Sequence, residues 1–110
     1  MSISGQQIAA YVDTLNAASP EGYERFATVT GKRYVKVVRL YNGKPGSVHA
    51  FIDPATGYVY KPAGWSAPAK GVRFDMSDPA SFADLLQAAA TPTSFAGGYL
   101  YARRAVTVSA

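Results

Sequence analysis

The sequence predicts an α+β fold, with an antiparallel four- to five-stranded sheet, an N-terminal helix and a short second helix. The first observation is a helical spacing of apolar residues near the N-terminus. The second is the region from Phe26 to Lys61, which is rich in β-branched and aromatic residues and which turn signals divide into separate strands. The third is a helix-start signal at Asp78. A small, partly open barrel is the variant of this sheet that the pattern also allows.

The first predicted element is an amphipathic helix that begins after Ser4. Ser4 and Gln7 have the spacing of a capping box, in which each side chain bonds the backbone of the other residue. Apolar residues then recur at helical spacing, at Ile8, Tyr11, Val12 and Leu15. Pro20 disfavours helical geometry in the residue before it, so the helix is expected to end near Ala17 or Ala18. Gln6, Asp13 and Asn16 form its polar side.

The strands follow from Phe26 onward. Phe26–Thr30 and Arg33–Tyr41 are predicted to pair across a turn at Gly31–Lys32. Asn42–Gly46 is the next predicted turn, and a half-buried strand from Val48 to Asp53 follows it. Pro54 and Gly57 then fit a tight hairpin turn that leads into Tyr58–Lys61.

Beyond this meander, Pro62 and Pro68 stop strand pairing, so residues 62–71 are predicted to form an ordered irregular loop. Val72–Met76 is expected to rejoin an edge of the sheet. Asp78 as N-cap and Pro79 at the first helical position predict a short helix, with Phe82, Leu85 and Leu86 as its apolar stripe. Tyr99–Val108 is predicted to be a closing strand.

Composition limits the class of protein. The 110 residues suffice for one domain with a modest core, so residues 1–110 are predicted to be a single domain. There is no cysteine, no apolar run near the ~20 residues that span a bilayer, and no recognisable signal peptide. These features predict a cytoplasmic protein without disulfides and without a membrane partner.

Positive charge is concentrated in the middle of the chain. Residues 30–73 hold eight Lys and Arg residues against one acid, Asp53, in a chain of net charge +4. The cations are Lys32, Arg33, Lys36, Arg39, Lys44, Lys61, Lys70 and Arg73. A solvated, solubilising sheet face explains this pattern, and so does a surface for an anionic partner, with nucleic acid as the candidate.

One segment is similar to small uncharacterised proteins encoded by tailed bacteriophages. The similar parts are Val-His-Ala-Phe-Ile-Asp at 48–53, Thr-Gly-Tyr-Val-Tyr-Lys at 56–61, and Gly-Trp-Ser-Ala-Pro-Ala-Lys-Gly-Val-Arg at 64–73, with Gly-Gly-Tyr-Leu-Tyr at 97–101. The resemblance covers roughly residues 32–103. It implies a phage-encoded protein that works in the cytoplasm of an infected bacterium, and it implies no catalytic residue.

The sequence offers little catalytic chemistry and points to no cofactor. His49 is the single histidine, so a zinc site of ordinary spacing is not available. Ser66 and Lys70 lack the spacing of serine–lysine acyl enzymes, and both Gly-Lys pairs lack the phosphate-loop spacing. His49 is interpreted as a strand residue beside a tyrosine.

We therefore expect a non-enzymatic protein that binds nucleic acid, or a nucleoprotein complex, through the basic hairpin and the Trp-bearing loop. Arg33, Arg39 and Tyr41 lie on one side of their strand as a potential platform. The candidate residues are Lys32, Arg33, Lys36, Arg39, Lys61, Trp65, Lys70 and Arg73. The alternative is a host-protein-binding modulator or virion-associated structural component that uses the same loop, with Trp65 as anchor. Trp65 as a plug over an open end of the sheet remains a third interpretation, and the sequence leaves the oligomeric state open.

Overall fold

A computed structural model describes residues 4–19, 25–92, 94 and 97–102 of the chain. The elements in chain order are α1 (Gly5–Ala18), β1 (Phe26–Thr30), β2 (Val35–Tyr41), β3 (Lys44–Asp53), β4 (Tyr58–Tyr60), β5 (Phe74–Asp75), α2 (Pro79–Ala89) and α3 (Gly98–Ala102). The predicted α+β class is confirmed. Among the described residues, no helix has the length and apolar character needed to cross a membrane.

The sheet is an antiparallel meander in which neighbours in sequence are neighbours in space. Its strand order is β1-β2-β3-β4-β5. The sheet is open, with β1 and β5 as its two edges, rather than the barrel variant. The predicted return of residues 72–76 to an edge is confirmed, since β5 pairs with β4 through Tyr58–Asp75 and Val59–Phe74.

One face of the sheet carries the main core. Val37, Ile52 and Val59 are fully buried there against Leu15 of α1 and Leu85 of α2. Burying side chains of this size contributes roughly 1.5–3 kcal/mol each, relative to leaving them in water. The core therefore fixes both helices on the same face of the sheet, and the opposite face remains available for other contacts.

The helix starts follow the sequence closely. Ser4 accepts a hydrogen bond from the Gln7 backbone, and the Gln7 side chain accepts one from the Ser4 backbone, which confirms the capping box. Asp78 caps α2 by accepting from the Ala80 backbone. Local side-chain chemistry decides both positions, which is why the sequence alone located them.

The predicted closing strand at the C-terminal end is wrong over its described part. Residues 98–102 form α3, and the rest of the predicted strand lies outside the described residues. Gly97 has a φ of 79°, a left-handed geometry that favours glycine and turns the chain into the helix. Leu100 then packs into the core, fully buried, so tertiary contacts override the β-like composition.

The hairpin between β2 and β3 is tighter than predicted. Its turn contains only Asn42 and Gly43, with φ values of 53° and 77°, as a two-residue turn with left-handed central residues requires. β3 therefore begins at Lys44. The register of the pair then shifts between Val37 and Val38, because Val37 faces Ala50 while Val38 faces Val48. His49 is the extra residue of this bulge.

Candidate functional site

The sheet face opposite the helices carries a cluster of aromatic rings. Tyr34 meets Phe51 and Tyr60 edge to face, with ring centroids 5.7 and 6.1 Å apart. Phe51 is buried on this side, so β3 is covered on both faces rather than half-buried as predicted. The Lys36 ammonium lies 5.9 Å from the Phe51 ring centroid, which places a cation over this cluster.

The loop of residues 62–71, hereafter the Trp65 loop, is ordered by its own backbone. The Ala63 amide donates to the Ala67 carbonyl at 3.0 Å, and the Ala69 amide donates to the Lys61 carbonyl at 2.9 Å. Pro62 and Pro68 form an isolated bridge between the two arms. The predicted irregular but ordered loop is therefore confirmed, and it holds Trp65 near its tip.

Trp65 lies against the sheet but is not covered by it. Its side chain is 47% exposed, and the Lys36 ammonium lies 4.5 Å from its ring centroid. A lysine over an indole ring at this distance is an attractive cation–π contact. The ring is therefore positioned from one side by β2, while nearly half of its surface faces solvent.

A groove runs along an open edge of β3. On the β4 side, the described strands pair only at Phe51–Asp53, so the earlier part of β3 has no strand partner there in the described part of the chain. The Trp65 loop and α3 border this edge instead, and they enclose a groove of about 350 Å³. Its lining residues are Gly46, Ser47, Val48, Pro62, Ala63, Gly64, Trp65 and Tyr101, and we call it the aromatic groove.

Two exposed rings border the aromatic groove, and each has its own cation. Tyr101 of α3 is 56% exposed, and the Lys61 ammonium lies 4.8 Å from its ring centroid. Trp65 has Lys36 in the equivalent role. None of the described lining residues is acidic. The arrangement can therefore take a flat, apolar ring together with a negatively charged group.

A second, smaller cavity adjoins the aromatic groove. It measures about 130 Å³, and we call it the His49 pocket. It shares four lining residues with the groove and adds Arg39, His49 and Gly97; the shared ones are Ser47, Val48, Pro62 and Tyr101. The described residues that line it contribute a guanidinium, two hydroxyls and an imidazole, and no carboxylate.

Behind this pocket, three side chains form a buried hydrogen-bonded chain. His49 Nε2 lies 2.7 Å from the Tyr99 hydroxyl, which lies 2.5 Å from the Tyr11 hydroxyl. Burial, with a smaller contribution from the nearby Arg39 guanidinium, lowers the pKa of His49 to about 4. Burial raises the pKa of Tyr11 and of Tyr99 above the ordinary tyrosine value, so all three groups are neutral near pH 7.

The structure brings together four of the sequence-predicted residues. Lys36, Lys61 and Trp65 surround the aromatic groove, and Arg39 lines the adjoining His49 pocket. The Arg39 guanidinium also lies 5.7 Å from the Phe26 ring centroid, at the rim of the helix-covered face. The site is therefore a junction of β2, β3, the Trp65 loop and α3.

The other four residues lie elsewhere. Arg33 pairs with Asp53 at 3.7 Å, near the β1–β2 turn that holds Lys32. Lys70 is exposed in the second arm of the Trp65 loop, and Arg73 is half-buried next to β5, where its amide donates to the Val59 carbonyl.

The platform of Arg33, Arg39 and Tyr41 does not lie on an open face. Val35 and Val37, between these residues, are buried in the core beneath the helices. Tyr41 itself is exposed at the end of β2, where its ring lies so close to Gly46 that a Cβ there would overlap it.

Tyr101 and His49 are the site residues that sequence reasoning missed. The sequence predicts a strand for the segment that contains Tyr101, and nothing local to that segment indicates a helix against the Trp65 loop. His49 does lie beside a tyrosine, as predicted, but that tyrosine is Tyr99, 50 positions away. Among the described residues, no three His, Asp or Glu side chains are grouped so that they could hold a metal ion.

Comparison with known proteins places the chain in a family without defining its role. The chain belongs to a family of unknown function, DUF7717, whose match extends over residues 4–102. No curated protein and no solved structure matches it. The match includes α1 and α3 as well as the sheet, so the family unit contains every element that forms the site.

Proposed function

We propose that this protein is a non-enzymatic, phage-encoded protein that binds single-stranded nucleic acid, alone or within a nucleoprotein complex. The observation that carries the proposal is the pair of exposed rings, Trp65 and Tyr101, each with a lysine ammonium within 5 Å of its centroid. Proteins that bind single strands combine aromatic stacking surfaces with cations that follow the backbone. The sequence resemblance supports a phage origin and action in the cytoplasm of an infected bacterium.

The groove favours single strands over duplexes. A base can stack on Trp65 or Tyr101 only if its π-face is accessible, which base pairing and stacking within a duplex prevent. The lysine ammoniums beside the rings can turn toward the phosphates that flank a stacked base. Stacking is worth about 1–3 kcal/mol per base, so two rings contribute about 2–6 kcal/mol of the roughly 8 kcal/mol that corresponds to micromolar binding, and the two cations add an electrostatic contribution.

The test is fluorescence anisotropy with labelled single- and double-stranded DNA and RNA. Single strands are expected to bind more tightly than duplexes. The Trp65→Ala variant is expected to weaken binding at least about fivefold, because one stacking surface is lost. The Lys36→Met/Lys61→Met variant keeps the apolar stems but removes both groove charges, and it is expected to weaken binding further.

The matched control is Lys32→Met/Arg33→Met, which removes two positive charges near the β1–β2 turn. It is expected to bind almost as well as the wild type, since the ammonium groups over the two groove rings belong to Lys36 and Lys61, and Arg33 lies over Tyr34 instead. An equal loss in the control and the groove variant would show that net charge, not the groove, drives binding. No binding at low salt would refute the proposal.

A host-protein-binding modulator or virion-associated component remains the second candidate function, and the open edge of β3 favours it. An extended peptide can add a strand to such an edge, and Trp, Tyr and Arg are the residues enriched at interface hot spots. This alternative predicts capture of one defined protein that persists at high salt and is lost in Trp65→Ala. Binding through phosphates instead falls steeply with salt.

A further inference from the structure

We infer that His49 carries its proton on Nδ1 and that the His49 pocket binds a terminal phosphate monoester of the strand or nucleotide whose base occupies the aromatic groove. The inference rests on the proposed function and adds to it a specificity for strand ends.

The tautomer follows from the protons of the buried chain. Tyr11 is fully buried, and its hydroxyl has no hydrogen-bond partner other than Tyr99 among the described residues. Its proton is satisfied only if Tyr11 donates to Tyr99. Tyr99 must then donate to His49 Nε2, which accepts as an unprotonated nitrogen. The reverse order would leave the proton of a fully buried hydroxyl without an acceptor.

Because a neutral imidazole carries one proton, that proton lies on Nδ1. The ring edge that contains Nδ1 faces Gly97, where an added Cβ would come within 3.5 Å of this nitrogen. His49 and Gly97 both line the pocket, and Nδ1 makes no hydrogen bond within the described part of the chain. The core therefore orients His49 so that it presents an N–H donor to the pocket.

The remaining groups of the pocket suit an oxyanion. Arg39 supplies the positive charge, and the Ser47 hydroxyl supplies a further donor. Guanidinium groups form strong, charge-assisted hydrogen bonds with phosphate oxygens. A neutral histidine donor complements this charge near pH 7 without being protonated. The described lining contains no carboxylate to repel an anion.

The size and position of the pocket favour a terminal phosphate. At about 130 Å³ it is much smaller than the adjoining groove of about 350 Å³, and it is bordered by β2, β3 and the residues next to α3. A monoester at a chain end can enter such a recess with one connection to the rest of the ligand. A backbone diester needs two. The pocket and the groove share Ser47, Val48, Pro62 and Tyr101, so a phosphate in the pocket lies next to a base in the groove.

The experiment compares short single strands that carry a phosphate at the 5′ end, at the 3′ end or at neither end. The signal is the fluorescence of Trp65, the single tryptophan of the chain. One phosphorylated form is expected to bind about tenfold more tightly than the unphosphorylated strand, as a charge-assisted contact would give. Thymidine 5′-monophosphate, thymidine and inorganic phosphate separate the contributions of base and phosphate.

Two substitutions assign the preference to the pocket. Arg39→Gln and Ser47→Ala are each expected to reduce the tenfold preference to about threefold or less, because each removes one phosphate contact. Arg33→Gln removes the same charge from a residue outside the pocket, and it is expected to keep the full preference. The nitrogen resonances of the single histidine report the tautomer directly and require no variant.

Each outcome bears on a distinct claim. Strands that bind equally with and without terminal phosphate would overturn the phosphate pocket and leave the proposed function standing. Absence of strand binding, with His49 resonances that shift on addition of thymidine 5′-monophosphate, would refute strand binding and support the pocket. No response to any ligand would overturn both. A proton found on Nε2 would overturn the tautomer and, with it, the donor that His49 contributes.

Discussion

At the scale of single residues, His49 is a buried ionisable side chain among aromatic rings. It is a bulge residue of β3, its ring meets Phe26 edge to face at 4.8 Å, and its Nε2 atom is hydrogen-bonded to the Tyr99 hydroxyl. Burial favours the neutral ring, and the neighbouring Arg39 guanidinium adds to this effect. The residue is thus kept uncharged by its surroundings over most of the physiological pH range.

This environment predicts a specific pH dependence of stability. The pKa of His49 falls from its ordinary value of 6.5 to about 4 on folding, so the unfolded chain binds the proton more readily. The free energy of unfolding is unaffected by His49 above about pH 6.5 and decreases as the pH falls from there toward 4. The full loss is roughly 2–4 kcal/mol.

Urea unfolding of the wild type and of His49→Gln, at several pH values between 7 and 4, checks this expectation. Glutamine does not titrate, so the difference in unfolding free energy between the two proteins isolates the histidine from the carboxylates that titrate in the same range. The wild type is expected to lose more stability than the variant on acidification. Parallel curves would show that His49 is not held neutral by the fold.

At the scale of elements, the helix starts could be predicted from the sequence, and an element whose structure depends on tertiary contacts could not. Ser4 and Asp78 predict where their helices begin, because an N-cap bonds only to residues within the first turn of the helix. The residues of α3 have a β-like composition, which predicts a strand where the structure has a helix. Its helical state depends on the turn at Gly97 and on the burial of Leu100 by residues distant in sequence.

Asn16 shows how one polar residue on a helix can connect two elements. The sequence assigned it to the polar side of α1, yet it is half-buried and bonds both backbone groups of Phe26. The Asn16 amide donates to the Phe26 carbonyl at 3.2 Å, and its oxygen accepts from the Phe26 amide at 2.7 Å. These bonds satisfy the backbone at the start of β1, an edge strand that would otherwise expose it.

We therefore expect Asn16→Ala to destabilise the protein by about 1–3 kcal/mol, because two backbone groups next to the core lose their partners. Asp13→Ala, on the exposed side of the same helix, is the control and is expected to change stability by less than about 0.5 kcal/mol. Chemical unfolding of both variants measures the difference. Similar stabilities would show that water replaces Asn16 at the β1 edge without cost.

At the scale of the whole molecule, the candidate site could be predicted only in part. The basic segment, residues 30–73, is one continuous stretch of sequence that includes the Trp65 loop, so its composition indicates a binding surface. The groove, however, needs Tyr101, which lies 36 positions beyond Trp65 and belongs to a different element. Its position depends on how the C-terminal segment returns across the open edge of β3, and no local pattern encodes that return.

Residues 30–73 contain eight basic residues, but the structure brings only some of them to the site. This difference leads to a prediction about the salt dependence of strand binding. For single strands, the logarithm of the binding constant falls with the logarithm of salt concentration by about 0.7 per neutralised phosphate. Three cations border the groove and its pocket, namely Lys36, Arg39 and Lys61. Binding confined to this site therefore gives a slope of about −2.

Participation of the whole basic segment would instead give a slope of about −5 to −6. Anisotropy titrations over a series of salt concentrations distinguish the two values. Removing two of the three cations, in Lys36→Met/Lys61→Met, is expected to bring the slope to about −0.7, while Lys32→Met/Arg33→Met leaves it near −2. A steep slope that both variants reduce equally would mean that the strand follows the charge of the entire segment, and that the groove only contributes to a diffuse basic surface.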